Sequence, residues 1–505
     1  MIPPLFAIFT WPVVVIFLFV KLRPAEALIW SLLGGYLLLP EKANFDLPML
    51  PALNKAVVPA LATMVAVTIA MRRQQDRTPD LFLPGWLPRL WPVNLCLAGI
   101  FVGVVGTVLT NADAIQVGSL TLPGLRPYDA LSGLLGTALA LVPLLLGRRF
   151  LGHPDVHRIL LAALVIAGVG YSLLALYEIR MSPQLHLKVY GYFQHSWVQH
   201  VRGDGFRPVV FLNHALWLAL FLSGAILASL VLFRDSAGTT RVKYLLAACW
   251  VLLVLIMAKS LGSLAVTIIL APVILFLGPR LQLTVAAAIA AIILTYPMLR
   301  GADLVPVDRV MGLAQSIDAS RAASLLTRLV NEDQLLEKAS NRPLFGWGSW
   351  GRNRIFDDET GRNLSLTDGL WVIKVGSNGW VGYLGEFGLL TLGTLLLWWR
   401  SRQYEITIAT AGLAVVLAGN LIDLIPNAGL TPLTWMIAGA LIGRVEHGRI
   451  VEKAKASWTA DDMQVVRYSR FGPESASGPI SNGRPTHDYA RNLQTLPNGR
   501  EDPVS

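Results

Sequence analysis

The chain has 505 residues, of which 54% are hydrophobic and 15% are charged, and its formal net charge is +10. With a positive mean hydropathy, this composition excludes a soluble globular protein and indicates an integral membrane protein. Because the excess of Lys and Arg falls in short loops between apolar segments, we do not interpret it as nucleic-acid binding.

Apolar segments long enough to cross a bilayer recur along most of the chain. A spanning helix needs about 20 such residues, and we count roughly thirteen candidates, which predicts an all-α, polytopic bundle of about 12–13 transmembrane helices. The first segment has no charged region before it and is followed by further spans, which favours a first span over a cleaved signal peptide. The predicted spans are 4–20, 25–40, 56–71, 92–110, 128–147, 158–178, 209–233, 244–258, 262–278, 281–299, 379–399, 404–425 and 428–443.

Lys and Arg in short loops predict the orientation, because they are retained on the cytoplasmic side during insertion. Alternate loops are rich in them, as at Arg148, Arg149 and Arg234, whereas the intervening short loops carry few. This bias predicts an extracytoplasmic N-terminus and a cytoplasmic C-terminus. Both long loops, 179–208 and 300–378, would then lie on the extracytoplasmic face.

The polar tail after Arg444 is rich in Ser, Gly, Pro and mixed charge. Such a segment cannot bury enough apolar surface to offset its ordering entropy, so we expect it to be disordered. The predicted organisation is N-terminal spans in 1–178, a first loop in 179–208, central spans in 209–299, a large helical loop in 300–378, C-terminal spans in 379–443 and a cytoplasmic tail in 444–505.

The first long loop runs into the next span with several titratable side chains. Arg207 is predicted just above the bilayer, and Asn213 and His214 about two turns deeper, at the start of a helix. Polar groups at that depth are costly without partners, which makes them candidate substrate-binding residues. Structural roles remain open as alternatives for three residues. Arg207 and Lys259 would extend their charged ends to the membrane interface, and His214 would pack between helices.

The large loop begins with a predicted basic helix. Residues 321–338 have helical apolar spacing, and Arg321 and Arg328, seven positions apart, fall almost in line. Glu332 follows one turn beyond Arg328. A row of positive charge is therefore predicted along one face of this helix.

A turn containing Gly346, Trp347 and Gly348 follows that helix, since the preceding Asn-Arg-Pro favours termination. Trp347 is open to two interpretations, an interfacial aromatic belt or a surface on which carbohydrate stacks. Farther on, Asp368 precedes the next span and Glu386 lies within it, where an ionisable group indicates function by default.

Cys96 and Cys249 fall in apolar spans and are interpreted as packing residues. Because no Cys or His spacing typical of a metal centre is present, we predict no metal site.

Cations from two loops and the nearby Asp368 together suit a diphosphate-bearing substrate. Guanidinium groups pair with phosphate oxygens through several charge-assisted hydrogen bonds. A neighbouring carboxylate can accept the proton of an attacking hydroxyl. Asp368 is the first choice for this base, and Asp204, Glu332, His195 and His200 are alternatives.

The order of these motifs resembles the O-antigen ligase and O-antigen polymerase superfamily, most clearly over residues 200–400. The shared features are R-P-x-x-x-x-N-H at 207–214, S-x-x-x-R ending at Arg328, N-R-P-L-F-G-W-G at 341–348, and D-G-L-W at 368–371 followed by G-x-x-G-Y-L-G-E-F-G-L-L at 379–390.

The resemblance implies a membrane glycosyltransferase of GT-C type in the bacterial inner membrane. Its donor would be an undecaprenyl-diphosphate-linked glycan, its acceptor a glycan or lipid hydroxyl, and it would need no cofactor or metal. By motif match, the diphosphate-holding role falls to Arg207 and Arg328, with Arg321 as a further candidate. Lys259, Asn213, His214, Trp347 and Glu386 are the remaining candidate substrate-binding residues.

Two departures separate the chain from the ligase pattern. Asp368 and its neighbours stand where ligases usually carry a His-Asn pair, and Ser260–Ser263 replaces an S-R-G pattern. We therefore favour a surface-polysaccharide polymerase over a ligase acting on lipid A-core. A transporter or flippase of lipid-linked sugars and a non-catalytic scaffold are the alternatives from other classes.

Overall fold

The structure, a computed structural model, describes residues 1–46, 50–73, 82–202, 205–307, 311–312, 315–316, 319–366 and 368–469. The side chains of 73, 202, 319–325 and 451–469 lie outside this description. Met1–Val451 form one compact unit, and the residues from Glu452 onward belong to a second.

The described residues are predominantly helical. The helices are α1 (Pro4–Lys21), α2 (Pro24–Leu38), α3 (Val57–Arg73), α4 (Trp91–Leu109), α5 (Pro127–Ala140), α6 (Val142–Phe150), α7 (Pro154–Met181), α8 (Leu185–Tyr190), α9 (Ala215–Asp235), α10 (Gly238–Met257), α11 (Leu261–Phe276), α12 (Pro279–Gly301), α13 (Ala319–Ser340), α14 (Leu370–Trp399), α15 (Ile408–Asp423) and α16 (Pro432–Ser469). A 3₁₀ helix covers Trp197–His200.

Two short antiparallel hairpins interrupt the helices. In the first, β1 (Ile115–Val117) pairs with β2 (Leu120–Leu122). In the second, β3 (Val201–Arg202) pairs with β4 (Gly205–Phe206), within the first long loop.

Within the described residues, eight helical segments are long and apolar enough to cross a membrane, which confirms the predicted all-α, multi-pass architecture. They are Pro4–Lys21, Trp91–Leu109, Pro127–Phe150, Pro154–Met181, Ala215–Asp235, Gly238–Met257, Pro279–Gly301 and Leu370–Trp399. Shorter apolar helices coincide with four further predicted spans: Pro24–Leu38, Val57–Arg72, Leu261–Phe276 and Ile408–Asp423.

The core centres on α9, the most deeply buried of these segments, which packs against α7, α10, α11 and α15. On another side of the bundle, α4 packs along α14 through glycines. A Cβ built on Gly103 would lie 3.2 Å from the Cα of Gly382, and one built on Gly385 would lie 2.8 Å from the backbone nitrogen of Ile100. Only small residues allow helix backbones to approach this closely.

Helix α14 is broken at Gly379, where φ is 64° and ψ is −170°. A side chain at this position would overlap the carbonyl of Leu344. The segment 343–348 packs into the break and satisfies backbone groups that the helix leaves open, as required where water is scarce. The joining hydrogen bonds run from Trp347 N to Gly376 O (2.8 Å), Gly348 N to Ser377 O (2.9 Å), Trp380 N to Pro343 O (2.8 Å) and Val381 N to Leu344 O (3.2 Å).

One end of the bundle, which we call the loop face, carries the described residues of the segments 182–214 and 302–369. The start of α14 and the end of α15 meet there, since Leu370 N donates to Leu424 O at 3.1 Å. A Cβ built on Gly429 would lie 3.2 Å from Trp217 Nε1 and 3.5 Å from Asp423 Oδ2, so the first turn of α9 reaches the same region.

Asn213 and His214 were predicted at the start of a helix, and they lie at that point, although the predicted span 209–233 begins too early. Helix α9 begins at Ala215, with His214 as its N-cap, and the chain from Val209 to His214 is folded irregularly above it. The buried Glu178 carboxylate holds this segment by accepting the backbone N–H groups of Val209 and Val210, both at 2.7 Å. Helix formation there would lose both charge-assisted bonds.

Candidate functional site

Arg328 and Asp368 form an ion pair on the loop face. Arg328 Nε lies 3.1 Å from Asp368 Oδ2, and the two side chains are 38% and 41% exposed. Arg328 projects from α13, whereas Asp368 lies just before α14. The structure thus joins two of the three residues that the sequence predicts to be catalytic, which are 40 positions apart.

Two further contacts fix α13 against its surroundings. Asn331 Oδ1 accepts the backbone N–H of Leu366 at 2.9 Å, which holds the chain next to Asp368. Arg300, buried at the end of α12, pairs with Asp333 at 2.7 Å. Both anchors, Asn331 and Asp333, lie within about a turn and a half after Arg328 on the helix, so the docking of α13 determines where the Arg328 side chain lies.

Glu332 lies one turn beyond Arg328 and is buried. Burial raises the pKa of Glu332 from 4.5 to about 7, and the nearby Arg300 opposes the shift. A carboxyl group with a pKa near neutrality is suited to accept a proton. The structure therefore strengthens Glu332 as an alternative base beside Asp368, whose carboxylate is paired with a guanidinium.

A cavity of about 480 Å³ lies among α4, α5 and α14, and its lining includes Leu370, two residues after Asp368. Most of its lining is apolar, but Lys374 and Glu386 both face it and form an ion pair at 2.7 Å. Its volume lies within the range of small-molecule sites, roughly 300–1,000 Å³. Glu386 was predicted as a binding residue; Lys374 was missed, although a lysine in an apolar segment is the same signal.

Arg207 lies in a different cluster from Arg328. It is only 2% exposed, its backbone N–H donates to His200 O at 2.8 Å, and its charge acts on the His200 imidazole. The Lys259 ammonium lies close to the β3–β4 hairpin, which directly precedes Arg207, since a Cβ built on Gly205 would lie 2.9 Å from Lys259 Nζ. Arg207 is thus packed into the first long loop and does not lie open at the interface.

The same cluster contains His195, His200 and His214, whose rings lie in contact. Burial, together with His195 and Arg207, lowers the pKa of His200 to about 4. Burial, together with Lys42, also lowers the pKa of His195. Both imidazoles are therefore neutral at physiological pH.

The remaining polar groups divide between the two clusters. Asn213 is half-buried, and within the described residues its Oδ1 has no hydrogen-bond partner. Asp423, at the end of α15, lies within electrostatic reach of Arg328. Arg321 lies in α13 with its side chain outside the described part, and Asp204 lies outside the described residues.

Trp347 lies in the segment that packs into the break of α14, where its backbone N–H donates to Gly376 O. Its indole N–H donates to Lys338 O at 2.8 Å, and the ring is contacted by the Lys338 ammonium at 5.3 Å and the Arg342 guanidinium at 4.5 Å. Cation–π contacts of this kind occupy the ring. Contact of Trp347 with a carbohydrate stays a prediction.

These groups can hold a charged head group at the loop face, accept a proton beside it, and enclose an apolar chain among the helices. In comparisons with known proteins, no family model matches the chain and no curated protein matches it.

Proposed function

We propose that the chain is a glycosyltransferase that transfers or polymerises an undecaprenyl-diphosphate-linked glycan at the extracytoplasmic face of the bacterial inner membrane, with polysaccharide polymerisation as the favoured reaction. The observation that carries the proposal is the accessible Arg328–Asp368 pair, together with a cavity among the helices whose lining includes Leu370, two residues after Asp368. The motif resemblance over residues 200–400 adds the substrate class.

Arg328 supplies the positive charge that the donor diphosphate requires. Because both partners of the pair are more than one-third exposed, exchange of Asp368 for a phosphate oxygen costs little, since exposed ion pairs contribute about 0–1 kcal/mol. A guanidinium then stabilises the charge that develops on the leaving diphosphate. Asp368, once released, lies next to the phosphate position.

The reaction is a displacement at the anomeric carbon of the donor sugar. The acceptor hydroxyl oxygen forms the new glycosidic bond, the bond to the diphosphate oxygen breaks with its electron pair, and the hydroxyl proton passes to a carboxylate. Asp368 and Glu332 are the two candidate bases, of which Glu332 has a pKa close to 7. No metal or nucleotide sugar enters this scheme.

The membrane cavity is assigned to the polyprenyl chain of the donor. Its mostly apolar lining among α4, α5 and α14 suits an isoprenoid, and one lining residue, Leu370, follows Asp368 by two positions. In this proposal the loop face is extracytoplasmic, as the distribution of Lys and Arg predicts, and the bundle is GT-C-like with about 12–13 spans.

The test is single-turnover release of undecaprenyl diphosphate by the purified protein in nanodiscs, with a lipid-linked oligosaccharide donor and a matching acceptor. We expect Arg328→Ala to slow release by about 100-fold or more, as loss of one transition-state donor does in other enzymes. Glu332→Gln and Asp368→Asn distinguish the two candidate bases. The variant that lacks the true base should lose activity at all pH values, whereas the other variant should retain most of its activity.

Arg362→Ala is the matched control, because Arg362 is an exposed arginine of the same loop. It should leave the rate unchanged. Equal rates for wild type and Arg328→Ala, with normally folded protein, would refute the proposed site. Transfer to lipid A-core instead of to a second lipid-linked repeat would identify the ligase alternative.

A second candidate function, transport of lipid-linked sugars, is favoured by one observation. The broken helix α14 carries the Lys374–Glu386 ion pair on a cavity wall, and interrupted helices with polar groups within the bilayer are typical of transporters. Translocation of a fluorescent lipid-linked sugar in proteoliposomes, lost in Glu386→Gln and independent of Arg328, would establish this alternative.

A further inference from the structure

His195, His200 and His214 converge on the loop face. The ring centroids of each pair lie between 4.9 and 5.4 Å apart. One ring nitrogen from each residue lies within 4.8 Å of those of the other two. The residues come from either end of the 3₁₀ segment and from the N-cap of α9, so the cluster joins the first long loop to the helical core.

Ring nitrogens of two members of this cluster, His195 and His200, lack partners within the described residues. His200 is completely buried, and within the described residues neither its Nδ1 nor its Nε2 has a hydrogen-bond partner. The same holds for the buried Nδ1 of His195. An unsatisfied buried polar group is costly, and two such imidazoles side by side require an explanation.

We propose that His195, His200 and His214 bind one divalent transition metal ion of the zinc class. Imidazole nitrogen is a preferred ligand of Zn²⁺ and of its neighbours in the first transition row. Tetrahedral Zn–N bonds of about 2.0–2.1 Å place the ligand nitrogens roughly 3.3 Å apart. The rings must therefore close by about 1–1.5 Å, which requires the segment from His195 to the 3₁₀ helix to move towards the start of α9.

His214 must give up its contact with the Leu216 N–H to join the site. Its Nδ1 now accepts the Leu216 N–H at 3.1 Å, whereas ligation through Nε2 requires a proton on Nδ1. The loss is that of one helix cap, which is small beside the free energy of a three-imidazole metal site.

The charges around the cluster select the remaining ligand. Arg207 acts electrostatically on His200 and Lys42 on His195, and these cations disfavour a bare dication. Three protein ligands leave a fourth position open. Under these charges, the fourth ligand is an anionic oxygen, such as hydroxide or a phosphate oxygen, and not a neutral water.

This metal site goes beyond the proposed function, because the displacement reaction uses no metal. Its direct consequence is mechanical: an ion held by His195, His200 and His214 cross-links the loop that contains Arg207 to the start of α9. Metal binding should therefore stabilise the folded protein, as any ligand specific for the native state does.

The test measures metal binding by the full-length chain, purified in detergent without a polyhistidine tag. After treatment with EDTA and equilibration with Zn²⁺, mass spectrometry of the metal should find about one Zn²⁺ per chain that survives competition with a chromophoric chelator. Loading with Co²⁺ should give the visible absorption bands of a tetrahedral site with nitrogen ligands.

His200→Ala and His214→Ala should each reduce the stoichiometry to below about 0.2 and abolish the Co²⁺ spectrum. His153→Gln, a histidine at the start of α7, is the control that should bind as wild type does. His214→Ala keeps the test informative if His200→Ala fails to fold, because His214 is only half-buried. Less than one-tenth of an equivalent in wild type, or undiminished binding in both variants, would overturn the proposal.

Discussion

Two arginine–carboxylate pairs, one near each end of the bundle, show how differently the same chemistry is used. Arg148 in α6 and Glu446 in α16 are 0% and 2% exposed, and Arg148 Nε lies 3.0 Å from Glu446 Oε2. Arg328 and Asp368 on the loop face are 38% and 41% exposed. The first pair is sealed within the protein, and the second remains accessible to a ligand.

The partners of the buried pair are also saturated. Glu446 Oε1 accepts the backbone N–H of Arg89 at 2.8 Å, and Arg148 donates to Gly85 O at 2.7 Å. Such a network fixes the loop before α4 to the bundle and has no capacity for a substrate. An accessible pair can instead exchange partners, which is what recognition of a diphosphate requires.

Breaking the buried pair should have the largest effect on stability. We expect Arg148→Met to lower the free energy of unfolding by about 3–5 kcal/mol, because Glu446 becomes an uncompensated buried charge. Equilibrium unfolding in mixed micelles measures this loss of free energy. The control is Arg158→Met, which removes a more exposed pair with Asp235 and should cost at most about 1 kcal/mol. Equal losses in the two variants would contradict the contrast.

The break in α14 should rank next. Gly379→Ala places a side chain at a φ of 64° and against the Leu344 carbonyl, for an expected loss of about 2–4 kcal/mol. Thermal unfolding in detergent provides the measurement. Gly170→Ala, in a helical position with open space around it, should change stability by less than about 0.5 kcal/mol. Unchanged stability of the Gly379→Ala variant would argue against the observed break.

Glu332 should make the loop face sensitive to pH. Its pKa is about 7 in the folded protein and 4.5 when exposed, so the native state binds more protons than the unfolded state between these values. The free energy of unfolding therefore falls as pH rises from about 4.5 to 7, by an amount on the order of 3 kcal/mol.

Glu332→Gln should remove that slope and stabilise the protein above pH 7. Stability curves recorded across this pH range test the prediction. Glu337→Gln, which changes an exposed residue of the same helix, should retain the slope. A slope that persists in Glu332→Gln would assign it to another group.

The smallest effect on stability is expected at the accessible pair. A double-mutant cycle with Arg328→Gln and Asp368→Asn should give a coupling free energy of at most about 1 kcal/mol, although Arg328 carries the proposed activity. Coupling of 3 kcal/mol or more would show that this pair is structural, like that of Arg148 and Glu446.

The helical elements were largely predictable, because an apolar run long enough to cross a bilayer is a local property of the sequence. The ends of helices were less so. Helix α14 begins at Leu370, nine residues before the predicted span. The prediction began too late because Lys374 lowers the local hydropathy. Its partner, Glu386, lies twelve positions later in the chain.

Candidate site residues were predictable by type but not by grouping. Arg328, Asp368 and Glu386 were all singled out from the sequence, yet Arg207, which we grouped with Arg328, belongs to the histidine cluster. His195, His200 and His214 carry no metal-ligand spacing along the chain and meet only in the fold.

The sequence by itself determined that this is a multi-pass, helical membrane protein and which polar residues interrupt its apolar body, because hydropathy and length act locally. Tertiary structure decided which of those residues are partners. Arg148 finds Glu446 298 positions away, and Arg328 finds Asp368 only because α13 docks beside the start of α14. Burial and pairing, which set the charge and reactivity of each group, depend on packing between distant segments and have no local signal in the sequence.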